Sequence, residues 1–196
     1  IPGIDYASFS THKFHGLKGT GALYLRRGTF FRPLLLGGHQ EKGRRAGTEN
    51  VAGIVAMGAA AKRAAATLEH DIKHERELRD RFEQALLKLG DTKLNGDATT
   101  PNARVPNTTN ISFLGVEAEE LLMLLDSMGL AASAGSACTT GSLEPSHVLR
   151  AMKLSDTEAQ GALRFSLSRY TTHKEIDQAI EIVTQAIEAL RPSMPS

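Results

Sequence analysis

The sequence runs to 196 residues, of which 41% are hydrophobic and 23% charged, and its formal net charge is +1. Such a composition fits a globular chain building one large domain, or one domain with part of another, and a charge so near zero gives no general attraction to nucleic acid or an anionic membrane. No apolar run reaches bilayer length and no signal-peptide pattern opens the chain, so the expected setting is cytoplasmic, without a membrane. The opening Ile1-Pro2-Gly3, without a methionine, reads as a fragment, a processed product or an artificial boundary.

Residues 4–10 are β-compatible and end in the polar run Ser10-Thr11-His12-Lys13; beyond a Gly/Lys turn, Gly21-Ala22-Leu23-Tyr24-Leu25 is a second strand, and the two predict an antiparallel pair. Residues 37–50 are polar and glycine-rich and should form a loop. From Val51 the pattern is helical to about Leu89, long enough to predict a bend near His70, with Gly90 as terminator and Glu75 and Arg79 spaced for an i,i+4 pair on the solvent face. There follow a strand over residues 110–114, a helix over 117–128 closed by Gly129, a strand over 130–133 and a short helix over 145–150. A strand over 162–168 and an amphipathic helix over 174–190 complete the chain, with Thr172 and Glu175 spaced as a capping box. The whole predicts an α/β chain: the end of a larger domain over residues 1–68, then a small α+β domain over 69–196.

Cys138 is the single cysteine and lies among small residues, Ser133-Ala134-Gly135-Ser136-Ala137-Cys138-Thr139-Thr140-Gly141-Ser142. That run reads as an exposed loop with one nucleophile, although free cysteine is also among the most buried residue types. Lys13 stands where a strand enters a turn; a partly buried lysine loses proton affinity and becomes a nucleophile suited to Schiff-base chemistry. Ser10, Thr11 and His12 beside it offer donors for a phosphate, a set suited to pyridoxal phosphate (PLP). Arg44-Arg45-Ala46-Gly47-Thr48 is a second phosphate-gripping candidate, or a solvated basic loop. Arg164 shares a strand face with Ala162 and Ser166, opposite Leu163, Phe165 and Leu167; it could clamp a carboxylate or sit in a structural ion pair. One cysteine cannot make a thiolate zinc site, and no histidine or carboxylate pair has a metal-motif spacing.

Five stretches, in order and at compatible spacing, resemble the cysteine desulfurases of the NifS/IscS type: Ser10-Thr11-His12-Lys13-Phe14-His15-Gly16, Gly21-Ala22-Leu23-Tyr24, Gly43-Arg44-Arg45-Ala46-Gly47-Thr48-Glu49-Asn50, Ser136-Ala137-Cys138-Thr139 with Leu143-Glu144-Pro145-Ser146-His147-Val148-Leu149, and Leu163-Arg164-Phe165-Ser166-Leu167-Ser168-Arg169-Tyr170. The resemblance implies the end of a fold-type I PLP-enzyme large domain followed by its small C-terminal domain, with the family's N-terminal half missing or carried by a companion chain. It implies that Lys13 bonds PLP, that Ser10 and His12 contact its phosphate with the Thr11 backbone between them, and that Arg164 binds the substrate carboxylate. Thr48 matches the threonine that reaches the phosphate in a partner subunit, which implies a homodimer. Cys138 matches the nucleophile that takes sulfur from L-cysteine as a persulfide, leaving alanine, and through that persulfide it would be a transient iron–sulfur ligand. An iron–sulfur scaffold or another sulfur-acceptor protein is the implied partner, and iron–sulfur cluster assembly the implied use. Leu17 stands where proline is common in the family and Ser168 where glycine is. The alternatives are a selenocysteine lyase-like enzyme and a catalytically silent module with only dimer- or scaffold-binding surface.

Overall fold

The computed structural model of the chain describes residues 2–100, 103–134 and 146–191. They fall into two compact units, Ile1–Leu68 and Glu69–Ser196.

In the first unit, β1 (Tyr6–Ser10) and β2 (Gly21–Leu25) form the expected antiparallel pair, with Tyr6 opposite Leu25 and Ser10 opposite Gly21. A 3₁₀ turn, Thr11–Phe14, leaves the end of β1 and stops at His15, whose φ of 67° is left-handed. The buried Thr11 holds this turn in place: its N–H donates to the Thr20 carbonyl at 3.0 Å, and its own carbonyl accepts from Gly16 at 3.0 Å. Only glycine allows that closure, because a Cβ on Gly16 would lie 2.1 Å from Thr11 Cγ2. The glycine-rich segment that follows includes a short α1 (Gln40–Gly43), distorted by left-handed Glu41 and Lys42.

Helix α2, Val51–Leu86, is one 36-residue element, roughly 54 Å long at 1.5 Å per residue. The helical assignment runs through His70 without a break: alanine and long straight-chain residues, the best helix formers, dominate this stretch and no proline interrupts it. One expectation fails. The stretch Val51–Leu89 is, by length and composition, long and apolar enough to cross a membrane, with a window of mean hydropathy 1.3. Alanine supplies much of that hydropathy and Lys62 and Arg63 interrupt it, so no contiguous run of large apolar residues announces it. Length and composition alone assign no membrane to it.

The second unit is a four-stranded antiparallel sheet in the order β3-β4-β6-β5. Its strands are β3 (Thr92–Leu94), β4 (Thr108–Phe113), β5 (Ser133–Ala134) and β6 (Ala162–Ser166). Ile111, Phe113, Leu163 and Phe165 point to one face and join a single core. That core is closed by Leu78, Phe82 and Leu86 of α2, by Leu121 and Leu125 of α3 (Ala118–Ser127), and by Ile176, Val183 and Ile187 of α6 (His173–Leu190). Phe82 and Phe165 meet edge to face, with ring centroids 5.0 Å apart. The Thr172–Glu175 capping box opens α6 as the spacing predicts.

Three departures from the sequence reading are physical. The strand expected over residues 130–133 is only the two residues of β5, because Gly129 and the α3 terminus occupy the preceding turn. Sequence patterning does not announce β3, which is three residues long, nor α4 (His147–Ala151) at its full bounds, nor α5 (Asp156–Gln160), although Ser155 and Glu158 form a capping box for α5. Arg79 is not on the solvent face with Glu75. It is buried, its guanidinium donating to Asp80 Oδ1 at 2.7 Å and to the Val105 carbonyl at 2.8 Å. Glu75 instead feels Asp71 and Arg169, and burial first, then Asp71, raises its pKa above the usual carboxylate value.

Candidate functional site

The two units hold different parts of the expected chemistry. In the first unit, Ser10 ends β1 and Thr11, His12 and Lys13 occupy the following 3₁₀ turn. Ser10, His12 and Lys13 are exposed while Thr11 is fully buried, so the turn presents a hydroxyl, an imidazole and an amine outward and uses its threonine as the anchor. The Lys13 amine is therefore at the surface of this chain rather than partly buried. Among the described residues Thr11 Oγ1 has no hydrogen-bond partner. Its side chain packs beneath Gly16, which confines its part in any phosphate contact to the backbone.

The loop over residues 37–50 is braced from within. The Gly47 N–H donates to Gln40 Oε1 at 3.2 Å, and Arg45 Nη1 donates to the Gly47 and Thr48 carbonyls at 3.2 and 3.3 Å. The glycine amide and Nη1 of Arg45 are thus engaged within the loop itself. Thr48 remains exposed at its end.

In the second unit, Arg164 is exposed on β6, on the face opposite Leu163 and Phe165, as alternation predicts. Among the described residues no carboxylate pairs with it. Its register partners are Asn110 on β4 and Ser133 on β5. Cys138 lies outside the described residues; the chain leaves the sheet at Ala134, beside Leu163 and four positions before that cysteine. Among the described residues no group of three or more histidine, cysteine, aspartate or glutamate side chains could hold a metal ion.

Sequence patterning does not single out Asn110, the cross-strand neighbour of Arg164, or Asn95 on the far side of Asn110. The Asn95 N–H donates to the Asn110 carbonyl, continuing the β3–β4 ladder by one residue. The available signal is parity: Asn110 and Ser112 alternate with Ile111 and Phe113, so both amide and hydroxyl share the face that carries Arg164.

The sequence profile of the aminotransferase class-V family matches residues 2–179. A cysteine desulfurase of Trichormus azollae is 56% identical over 193 residues, covering 98% of this chain and 48% of that protein. The cysteine desulfurase NifS of Azotobacter vinelandii is 53% identical over 193 residues, 98% of this chain and 47% of its own length. Among solved structures, a NifS-like protein superposes with a TM-score of 0.81 at 38% identity, over 93% of this chain and 46% of that one. A NifS-like protein from Rickettsia africae gives 0.80 at 30% identity, over 96% and 48%. The chain spans about half the length of the curated relatives it matches. With a family profile running through almost its whole length and this fold beneath it, the chain belongs to the aminotransferase class-V family.

Proposed function

We propose that this chain is the part of a PLP-dependent cysteine desulfurase that carries the cofactor-binding lysine and the sulfur-accepting cysteine. The complete protein takes sulfur from L-cysteine as a Cys138 persulfide, leaves L-alanine, and passes the sulfur to an acceptor such as an iron–sulfur scaffold. The observation that carries this reading is the outward-facing set Ser10, His12 and Lys13 at the end of β1 and in the turn that follows it, in a chain whose relatives are named cysteine desulfurases.

The donor set fits the cofactor. An amine matches its aldehyde, and a hydroxyl with an imidazole N–H matches its phosphate; Thr11 and Gly16 fix the turn that holds all three. When bound, PLP supplies an electrophilic carbonyl for amino groups and a ring that takes up electrons from the substrate's Cα. Lys13 provides the amine that retains it and a base beside the substrate. Arg164 takes the substrate carboxylate through two parallel N–H donors. The Cys138 thiolate attacks the sulfur of L-cysteine: an S–S bond forms as the carbon–sulfur bond breaks, and the electron pair stays with the carbon, which is protonated to give alanine. Thr48, exposed at the end of its braced loop, is assigned to the phosphate in a partner subunit, and the working form to a homodimer.

The test is the visible spectrum of the purified chain with PLP, then with L-cysteine. A yellow band that Lys13→Ala abolishes and L-cysteine perturbs is expected once the remaining half of the site is supplied. Retention of the band in Lys13→Ala would sink the assignment of Lys13. A chain that neither binds PLP nor gains a band with a relative's N-terminal half would instead be the silent module.

A further inference from the structure

A buried hydrogen-bond relay crosses the polar side of the second sheet and ends beside Arg164. It begins at α5, where the Ser112 hydroxyl donates to the Glu158 carbonyl at 2.6 Å. With its proton committed, Ser112 Oγ accepts from Asn95 Nδ2 at 2.8 Å. The second proton of that nitrogen goes to Asn110 Oδ1, 2.7 Å away. Each direction follows from the one before, so the orientation of both amides is fixed by the network. Asn110 must then turn its NH₂ away from Asn95, and among the described residues that nitrogen has no partner.

Asn110 is the direct cross-strand partner of Arg164. In an antiparallel pair such residues have Cα atoms roughly 4.5–5.5 Å apart and side chains on one face. An amide donor and a guanidinium therefore stand side by side, with Ser133 on the other flank of Arg164. Stability alone explains the relay poorly. Asn95 is only 5% exposed, and its Oδ1 is buried without a donor. A buried acceptor left unpaired is unfavourable, and an apolar residue at that point of the sheet would avoid it.

We propose that Asn110 is a substrate-binding residue whose NH₂ donates to the same carboxylate that Arg164 clamps, and that Asn95 is a positioning residue that holds the Asn110 amide in the donating orientation. This rests on the assignment of Arg164 to the substrate carboxylate and extends it. The guanidinium supplies charge and two parallel donors, and the amide adds a third from the neighbouring strand, so that the carboxylate is fixed in rotation as well as in place.

The experiment is an NMR titration of the ¹⁵N-labelled 196-residue chain, supplied with a relative's N-terminal half, with L-alanine, the carboxylate product, and with L-alaninamide as the control lacking a carboxylate. The expected result is that the Asn110 side-chain NH₂ and the Arg164 Nε–H signals move together with one dissociation constant for L-alanine, and that neither moves for the amide. Asn110→Asp should weaken the L-alanine response at Arg164 about tenfold or more, since it replaces a donor to a charged group by a like charge. Asn95→Leu should weaken it by less and let the Asn110 amide signals broaden, while the amides of Phe113 and Leu163 stay in place. A shift at Arg164 without one at Asn110 overturns this proposal and leaves the carboxylate assignment standing. A shift at neither residue removes the Arg164 assignment, and this proposal with it.

Discussion

The two units of this chain solve the burial problem to very different extents. All the large buried apolar side chains among the described residues, from Leu78 to Ile187, belong to the second unit, where three helices cover one face of a four-stranded sheet. The first unit buries Thr11 and closes a two-stranded ribbon, yet leaves Phe30 at 83% and Leu34 at 91% exposure, with Leu36, Val51 and Val55 also in solvent. A two-stranded pair is marginal by itself, and a helix with one half unburied gains little from packing. The second unit buries a core of its own, whereas the first leaves its apolar side chains exposed around the turn that carries Lys13. This fits a chain that spans about half the length of its relatives.

The sharpest way to break that contrast is to separate the units. Residues 69–196 alone are expected to unfold cooperatively and to give a dispersed amide spectrum, while residues 1–68 alone stay largely unstructured apart from transient helix. A cooperative transition in the 1–68 fragment would show that its stability has a source other than burial. Next in size is the contrast between core and surface. Phe82→Ala removes a ring packed against Phe165 at full burial and should cost about 3–5 kcal/mol. Ile54→Ala, on the half-exposed face of α2, should change stability by less than about 0.5 kcal/mol. Both are read from denaturant midpoints, and equal effects would erase the distinction.

How much of this was readable in the sequence follows the same division. Alternation in residues 110–114 and 162–168 places Ile111, Leu163 and Phe165 inward and Arg164 outward, and the structure agrees because one apolar face leaves a strand no freedom of register. Thr172 and Glu175 announce the start of α6 through a purely local capping chemistry. The role of Arg79 was not legible. Its spacing to Glu75 suits a surface pair, but it is buried by a loop 26 residues away whose Val105 carbonyl it holds. Lys13 carries its meaning in its neighbours, whereas Asn95 acquires one only when β3 pairs with β4, a three-residue strand too short to show a period. The failures at Arg79 and Asn95 are tertiary in origin, whereas α5 was missed despite the local capping box of Ser155 and Glu158.

The loop between β3 and β4 gives a smaller effect that sharpens the comparison inside the second unit. Arg104 donates to both oxygens of Glu83, at 2.7 and 3.0 Å, and Glu83 is nearly buried. Glu83→Ala leaves Arg104 and the buried Arg79 without their shared carboxylate, and a loss of about 3 kcal/mol is expected. Substituting the exposed Glu41 of the first unit should cost almost nothing. If chemical denaturation found the two variants alike, the ion pair would be a surface contact with no part in holding the loop.

The smallest effect is a local one with a defined pH window. Glu158 is held down to about 2, first by the hydrogen bond from Lys93 and then by the Ser155 backbone N–H that closes the α5 capping box. A carboxylate whose folded pKa lies below its ordinary value of 4.5 contributes stability that is complete above that value and is lost as the pH falls toward 2. The loss should appear as faster amide exchange at Ser155 and Glu158 between those limits, without global unfolding. Because the Glu158 carbonyl anchors Ser112, the Asn110 side-chain signals should respond in the same window. Glu158→Gln keeps the shape and removes the titration, so both responses should flatten in that variant. A response at Asn110 that persisted in Glu158→Gln would mean that its amide is oriented independently of α5, and the relay would then end at Ser112.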